Sequence, residues 1–410
     1  MEPRRGRGRA VWVLVGCVVC QMGLGFSYVF TTFLKPIVAE LGWTRTAFSG
    51  AGGPLLLSMA LAAPLIGNLA DRFGPRRVLA LSTLLLAAAL ASFAAMQSLT
   101  HFYATSLLLG LALTGLGDIP VGAVASRWFA KSRGLVLGVV YVGSNIGGSL
   151  VPIAATAVAA RASWRAALCV LAAAAIALIL PFALFVVREP RVDEQPSEEG
   201  RAPGRALLAE AEAPSLDLAA ALRTRTFWIL AVVLFAFYFY YLGVINHLIA
   251  FLSDSGFSDP AAARRFGGAV AVGIVGKLAI GALADRIPKK TALLANFALV
   301  LLASVLLLFV GRPGVLLAFL VVHGFAVAAE NVLLPLIVVE AFGVAHMAQI
   351  YGALMFALLP GGVLGPIFAA RLYDTLGSYD LAFTTFAALN ALSLGLLCFV
   401  RAERPATARR

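Results

Sequence analysis

The tract GNLADRFGPRR at Gly67–Arg77 returns 214 residues later as GALADRIPKK at Gly281–Lys290. Each copy joins two long apolar segments. An internal repeat constrains architecture more tightly than any single motif, because it sets the unit that the chain is built from. A short, charged, glycine-containing loop at matching places in two halves of an apolar chain predicts a duplicated membrane fold.

Composition supports that reading. The chain has 410 residues, 61% hydrophobic and 13% charged, with mean hydropathy +0.93. A soluble domain carries about 25% charged residues, so this much apolar surface calls for a bilayer as solvent. Net charge is +12. The basic residues lie in short loops between apolar spans, which points to orientation by the positive-inside rule and away from nucleic acid. The four cysteines, Cys17, Cys20, Cys169 and Cys398, all fall in apolar stretches and read as packing residues. The apolar run after Ala10 is too long for a cleavable signal and reads as the first span.

Twelve spans of about 20 residues fit between residues 11 and 400. Several hold proline, including Pro54, Pro120, Pro152, Pro335 and Pro366, which membrane helices tolerate. The predicted organisation is an N-terminal six-helix bundle over 1–187, a polar linker over 188–225 and a C-terminal six-helix bundle over 226–410. With the N-terminus cytoplasmic, the N-tail, alternate loops and C-tail hold 23 of the 32 Lys and Arg residues. Both termini and the linker are therefore expected inside a multi-pass inner (plasma) membrane protein.

The twin Gly-x-Leu-Ala-Asp-Arg loops resemble the signature of the major facilitator superfamily. The first copy supplies Gly67, Asp71, Arg72, Gly74, Arg76 and Arg77; the second keeps Gly281, Asp285 and Arg286 but has Pro288 near the turn. The resemblance implies an all-α fold of twelve helices in two six-helix halves with internal inverted repeats. It also implies that Gly67, Asp71, Arg72, Arg76, Asp285 and Arg286 act as a conformational latch. A second tract is similar to the fifth-helix signature of monocarboxylate transporters: Trp128-Phe129, Lys131-Ser132-Arg133, Gly138 and Gly143-Ser144-Asn145-Ile146-Gly147. Gly25-Phe26-Ser27-Tyr28, Lys35-Pro36 and Glu40-Leu41-Gly42-Trp43-Thr44-Arg45 are also typical of that group and of bacterial oxalate/formate exchangers.

Ionisable groups within spans are costly and mark function. Lys277 stands in the eighth span, two turns before the repeated loop. The resemblance implies that a cation there, commonly Arg, holds the substrate carboxylate. A lysine is a compact point charge that can release its proton when desolvated, whereas arginine grips bidentately and stays charged. The family's Asp one turn earlier is replaced by Gly273. Asn246-His247 in the seventh span follows the aromatic run Phe235–Tyr241. Histidine can carry a proton or bind a carboxylate, and asparagine adds a neutral hydrogen bond. Asp118 in the fourth span and Glu330-Asn331 in the tenth are further deep groups. Either acid could neutralise Lys277 or hold a proton.

In the N-terminal half, Tyr28 is a candidate, and Tyr141, Ser144, Asn145 and Gly148 recur at helical spacing along one stripe. Such a stripe serves helix packing or lines a cavity. The expected substrate-binding set is thus Lys277, Asn246, His247, Tyr28, Ser144, Asn145 and Asn331. The expected proton-coupling set is Lys277, His247, Asp118 and Glu330.

No phosphate-binding loop, metal-ligand spacing or catalytic triad is visible, so a membrane transporter without cofactor or metal is expected, and not an enzyme. Its expected partners are a small monocarboxylate, a proton and the lipid bilayer; a monomer would suffice. The function that follows is proton-coupled symport of L-lactate, pyruvate and similar acids. Two transport alternatives are an oxalate/formate-type exchanger and a drug/proton antiporter. No cation lies between Ile350 and Ala370 to hold a dianion, and Lys277 would repel a cationic drug. A non-transporting sensor would need an output domain, which the linker does not provide.

Overall fold

A chain in hydrocarbon must satisfy its backbone donors and acceptors within each segment, and an α-helix does so without a neighbour. The computed structural model describes residues 3–129, 133–189, 215–284, 286–343 and 346–403. Its elements are all helical among the described residues. In chain order they are α1 (Pro3–Gln21), α2 (Val29–Leu41), α3 (Arg45–Ser49), α4 (Gly52–Phe73), α5 (Pro75–Ala94), α6 (Leu99–Leu116), α7 (Asp118–Trp128), α8 (Arg133–Ala159) and α9 (Trp164–Pro181). After them come α10 (Leu218–Ala221), α11 (Arg225–Asp254), α12 (Asp259–Ala284), α13 (Lys289–Leu307), α14 (Val315–Phe342), α15 (Met347–Met355), α16 (Leu358–Leu376) and α17 (Asp380–Leu397).

Among the described residues, ten helical segments are long and apolar enough to cross a membrane. An eleventh, α14, is bent by 42° between Val315–Glu330 and Val332–Phe342. Pro335 lies in the second arm; its ring and missing N–H free the carbonyl four residues back, which is a sufficient cause of a kink. Beside these stands α12, a continuous helix of 26 residues that carries Asp259, Arg264, Arg265 and Lys277. Many of the large apolar side chains lie on the outside, such as Trp12, Leu61, Phe185, Leu317 and Phe356. Lipid-facing surfaces have that composition.

Two units pack internally. The first comprises Met1–Ala202 with Asn246–Ala271, and the second Pro203–Ile245 with Val272–Arg410. The later part of α11 and the early part of α12 therefore belong with the N-terminal helices.

In the first unit, Phe102 is buried at the centre of an aromatic cluster with Phe30, Trp43, Phe48, Phe93 and Tyr103. Glu40, near the end of α2, accepts from Trp164 Nε1 at 2.6 Å and from Arg165 Nη2 at 2.9 Å. Arg165 also donates to the Ala94 and Met96 carbonyls, so one guanidinium ties α2, α9 and the end of α5. The Glu40–Arg45 tract thus has a packing basis: Thr44 caps α3 through Ala47 N at 3.0 Å, and Gly42 takes φ +68° to end α2.

A glycine-rich segment, Met22–Tyr28, runs as a tighter 3-10 helix against α8. A Cβ on Gly147 would collide with the Met22 backbone, and one on Gly25 with the Gly147–Gly148 backbone. The two backbones approach as only glycines allow. The stripe seen in the sequence is, at this point, a packing seam.

In the second unit, α13 packs on α14 and α17. Buried Asn296 donates to the Ala326 carbonyl at 3.1 Å, and Asn390 donates to Ser304 Oγ at 3.2 Å.

The seam gives a paired test. Gly147→Ala is expected to destabilise the protein by about 1–3 kcal/mol through overpacking. Gly138→Ala, on the same helix with nothing within 4 Å of an added Cβ, should be neutral or slightly stabilising. Thermal unfolding in detergent followed by size-exclusion chromatography measures both.

Candidate functional site

The polar residues named from sequence fall into separate clusters. In the first unit, α2 and α11 both end near a shared ion cluster. Lys35 Nζ lies 2.8 Å from Asp254 Oδ1 and donates to Ser253 Oγ at 3.0 Å. Arg45 Nη2 lies 2.8 Å from Asp254 Oδ2. Ser253 Oγ in turn donates to Asp259 Oδ1 at 2.8 Å. Arg45 is buried, so its charge is compensated within the protein.

Two turns before Asp254 on the same face of α11 stands His247. It is 2% exposed, and its Nε2 pairs with Ser49 Oγ at 3.3 Å. Its neighbour Asn246 is half-buried.

The N-terminal candidates pack in this unit as well. The Tyr28 ring meets Phe266 edge-on at 5.2 Å and lies against Gly148. Asn145 Nδ2 donates to the Val270 carbonyl at 3.0 Å. Ser144 Oγ donates to Tyr141 O of its own helix at 2.8 Å. Asp118 lies within the fourth span, Leu99–Ala125, at a break in its helix. The backbone is extended at Gly117, and Asp118 opens α7, exposed, where a carboxylate complements the helix dipole. Its Oδ1 accepts from Gln21 Nε2 at 2.5 Å.

The second unit holds a different arrangement. Two tyrosines of α11, at i and i+2, reach two ionisable residues of α14, at i and i+7. Tyr240 Oη pairs with His323 Nδ1 at 2.6 Å. Tyr238 Oη donates to Glu330 Oε2 at 3.2 Å. His323 is 1% exposed and Glu330 2%. His323 Nε2 and Glu330 Oε1 have no hydrogen-bond partner among the described residues. The side chain of Asn331 lies outside the described residues.

Lys277 lies in the second half of α12 and is half-buried. The residue before it, Gly276, faces the backbone of Phe325, so close that a Cβ would meet the Phe325 carbonyl. That contact brings this turn of α12 to α14 at Phe325, on a different face of α14 from the one that His323 and Glu330 share. A fixed cation, a buried acid and a buried imidazole thus lie on two helices of one unit. Of these, Lys277 can neutralise an anion and Glu330 can hold a proton.

The repeated loops form helix stops and starts. Gly74 has φ +84°, and Pro75 begins α5. Gly67 is half-buried, while Arg72, Arg76 and Arg286 are exposed. The Asp71 side chain and Asp285 lie outside the described residues. In the second copy, Lys289 N donates to Glu340 Oε2 at 3.1 Å, and Lys290 Nζ donates to the Cys398 and Val400 carbonyls. Among the described residues, no group of three or more His, Cys, Asp or Glu is placed to hold a metal ion.

Sequence reasoning passed over Tyr238, Tyr240, Lys35, Arg45 and Asp254 as site residues. The tyrosines sit within an aromatic run whose letters do not say which ones meet a polar partner. Asp254 stood at a span end, where an acid usually needs no partner.

The Major Facilitator Superfamily profile matches residues 14–358 and 266–410. Monocarboxylate transporter 13 of Bos taurus is 26% identical over 392 residues, covering 94% of this chain and 88% of that protein. The probable sulfoacetate transporter SauU of Cupriavidus necator is 27% identical, covering 87% of this chain and 85% of that protein. Among solved structures, a point mutant of the nucleoside transporter NupG aligns with TM-score 0.74 at 15% identity, covering 95% of this chain and 99% of that one. An inward-facing, occupied bacterial homolog of the human lysosomal transporter Spinster aligns with TM-score 0.72 at 16% identity, covering 98% and 97%. The sequence match and the shared twelve-helix fold lead to one conclusion: the chain belongs to the major facilitator superfamily and is a membrane transporter, not an enzyme.

Proposed function

We propose that this transporter carries small monocarboxylates such as L-lactate and pyruvate together with a proton. It does so by alternating access between an N-terminal bundle (1–187) and a C-terminal bundle (226–410), joined by the linker 188–225. It lies in the plasma membrane with both termini cytoplasmic, and a monomer suffices for transport.

The observation that carries this reading is Lys277, a cation within a membrane helix in a chain related to monocarboxylate transporters. A charge on a spanning helix is costly and marks a functional position. A single carboxylate matches one ammonium. Asn246, His247, Tyr28, Ser144, Asn145 and Asn331 complete the proposed binding set with neutral hydrogen-bonding groups. Adding a proton to the loaded carrier balances the charge, so the carrier can reorient without exposing an ion to lipid.

The proposed latch residues Gly67, Asp71, Arg72, Arg76, Asp285 and Arg286 hold one orientation at the helix ends. The Lys35–Asp254–Arg45 cluster offers a second holding point, because it joins α2 and α3 to the end of α11.

Proteoliposomes with an imposed inward proton gradient are expected to accumulate labelled L-lactate above equilibrium. No response to the gradient would overturn symport. Lys277→Ala should lower lactate uptake by about tenfold or more, since it removes the charge-assisted contact. Lys277→Arg should retain a measurable fraction. Unchanged apparent affinity and rate in the alanine variant would remove Lys277 from the site. Sulfoacetate, the compound in the name of one relative, is a dianion and should compete more weakly than pyruvate in the wild type.

A further inference from the structure

We infer that Glu330, paired with Tyr238, is the carrier of the coupled proton, and that His323, paired with Tyr240, is a structural group. This inference rests on the proton-coupled reading above.

Four candidates could hold the proton, and the geometry separates them. Asp118 is exposed, opens α7 and accepts a hydrogen bond from Gln21, so its charge is accommodated where it stands. His247 pairs with Ser49 within two turns of the Lys35–Asp254–Arg45 cluster. The cations there, Lys35 and Arg45, are already matched by the carboxylates Asp254 and Asp259, so a proton on His247 would unbalance a settled cluster. Lys277 is assigned to the anion.

Glu330 differs from all three. It is a carboxyl enclosed at 2% exposure, with one oxygen on Tyr238 Oη at 3.2 Å and the other without a hydrogen-bond partner among the described residues. An ionised carboxylate satisfied at only one oxygen is poorly stabilised in such an enclosure. A proton on Oε1 converts it to a neutral acid. The Tyr238 hydrogen bond to Oε2 survives that change, so the site can load and unload without rearranging its partner.

Among the described residues, the polar side chain shown on this carboxyl is Tyr238. Around Tyr238 itself stand Tyr241 of α11 and Tyr351 of α15. On α14 itself His323 stands two turns away, engaged with Tyr240. On α13, Asn296 is uncharged and bonded to Ala326 O. On α12, Lys277 stands one residue past the Gly276–Phe325 crossing. An anion held at Lys277 and a proton held at Glu330 would thus sit on adjoining helices of one unit.

The position also has a mechanical consequence. Glu330 is the last residue of the first arm of α14, where the helix bends by 42°. Its protonation state is therefore set at the joint between the two arms. The cycle balances simply. A hydronium ion on one side breaks its O–H bond and leaves water, the proton forms an O–H bond at Glu330 Oε1, and that bond breaks on the other side to return H⁺ to water as the substrate anion leaves.

The test compares two transport modes in proteoliposomes. Gradient-driven uptake requires the proton to come off; exchange of internal for external lactate does not. Wild type should show both. Glu330→Gln, a neutral mimic of the protonated acid, should lose gradient-driven accumulation by about tenfold or more and keep exchange within about threefold. Tyr238→Phe should keep exchange and shift the pH dependence of uptake. His323→Asn should keep gradient-driven accumulation.

Accumulation by Glu330→Gln at the wild-type level would overturn the inference while leaving symport intact. Loss of exchange in a Glu330→Gln protein that elutes and melts like wild type would also overturn it. So would an unshifted pH profile in Tyr238→Phe, or loss of accumulation confined to His323→Asn. If wild type exchanges lactate but ignores the proton gradient, the symport reading itself fails and the assignment of a proton carrier falls with it.

Discussion

Inside a bilayer there is no water to satisfy a stranded polar group. That one constraint orders this molecule. It makes the backbone helical among all the described elements, because each helix satisfies its own amides. It also means that every side chain able to carry charge or donate a hydrogen bond within a span must find a partner or be used. The aromatic and aliphatic surface can be left facing outward, as Trp12 and Phe185 are.

The two units meet this constraint differently. In the first, the charged groups are matched in place, although the buried Gln21 Oε1 and Thr31 Oγ1 have no hydrogen-bond partner among the described residues. Asp254 answers both Lys35 and Arg45, Glu40 answers Trp164 and Arg165, and Asn145 answers a backbone carbonyl. In the second, matching is incomplete. Glu330 and His323 each have one polar atom satisfied by a tyrosine and one with no hydrogen-bond partner among the described residues. Incomplete satisfaction is the condition under which a buried group can change its protonation or accept a ligand. Helix irregularities gather near these polar groups: the Gly117 break precedes Asp118, and the α14 bend follows Glu330.

Much of the architecture was legible. The repeated loop, twelve apolar runs and scarce charge were enough for a duplicated helical membrane protein, because bilayer thickness leaves little choice of element. Lys277, Glu330 and His247 stood out because a charged or titratable letter in an apolar run is rare. The partners were less visible. A tyrosine within an aromatic run looks the same whether it faces lipid or a carboxylate, so Tyr238 and Tyr240 carried no separate signal. Asp118 lies within the fourth span as the letters indicate, but the break at Gly117, which leaves its side chain exposed, does not interrupt the apolar pattern and was not visible.

The sequence by itself determined that this chain spans a membrane, that it repeats, and where its few costly charges lie, because hydropathy and charge are properties of the letters. Only the tertiary structure decided which of those charges are answered. It assigned Asn246–Ala271 to the first unit, so that His247 and Asp254 meet Ser49, Lys35 and Arg45. It left Glu330 with Tyr238 on one oxygen only. Pairing depends on which helix faces lie together. That is set by close backbone contacts, such as Gly147 on Met22 and Gly276 on Phe325, between residues far apart in the chain.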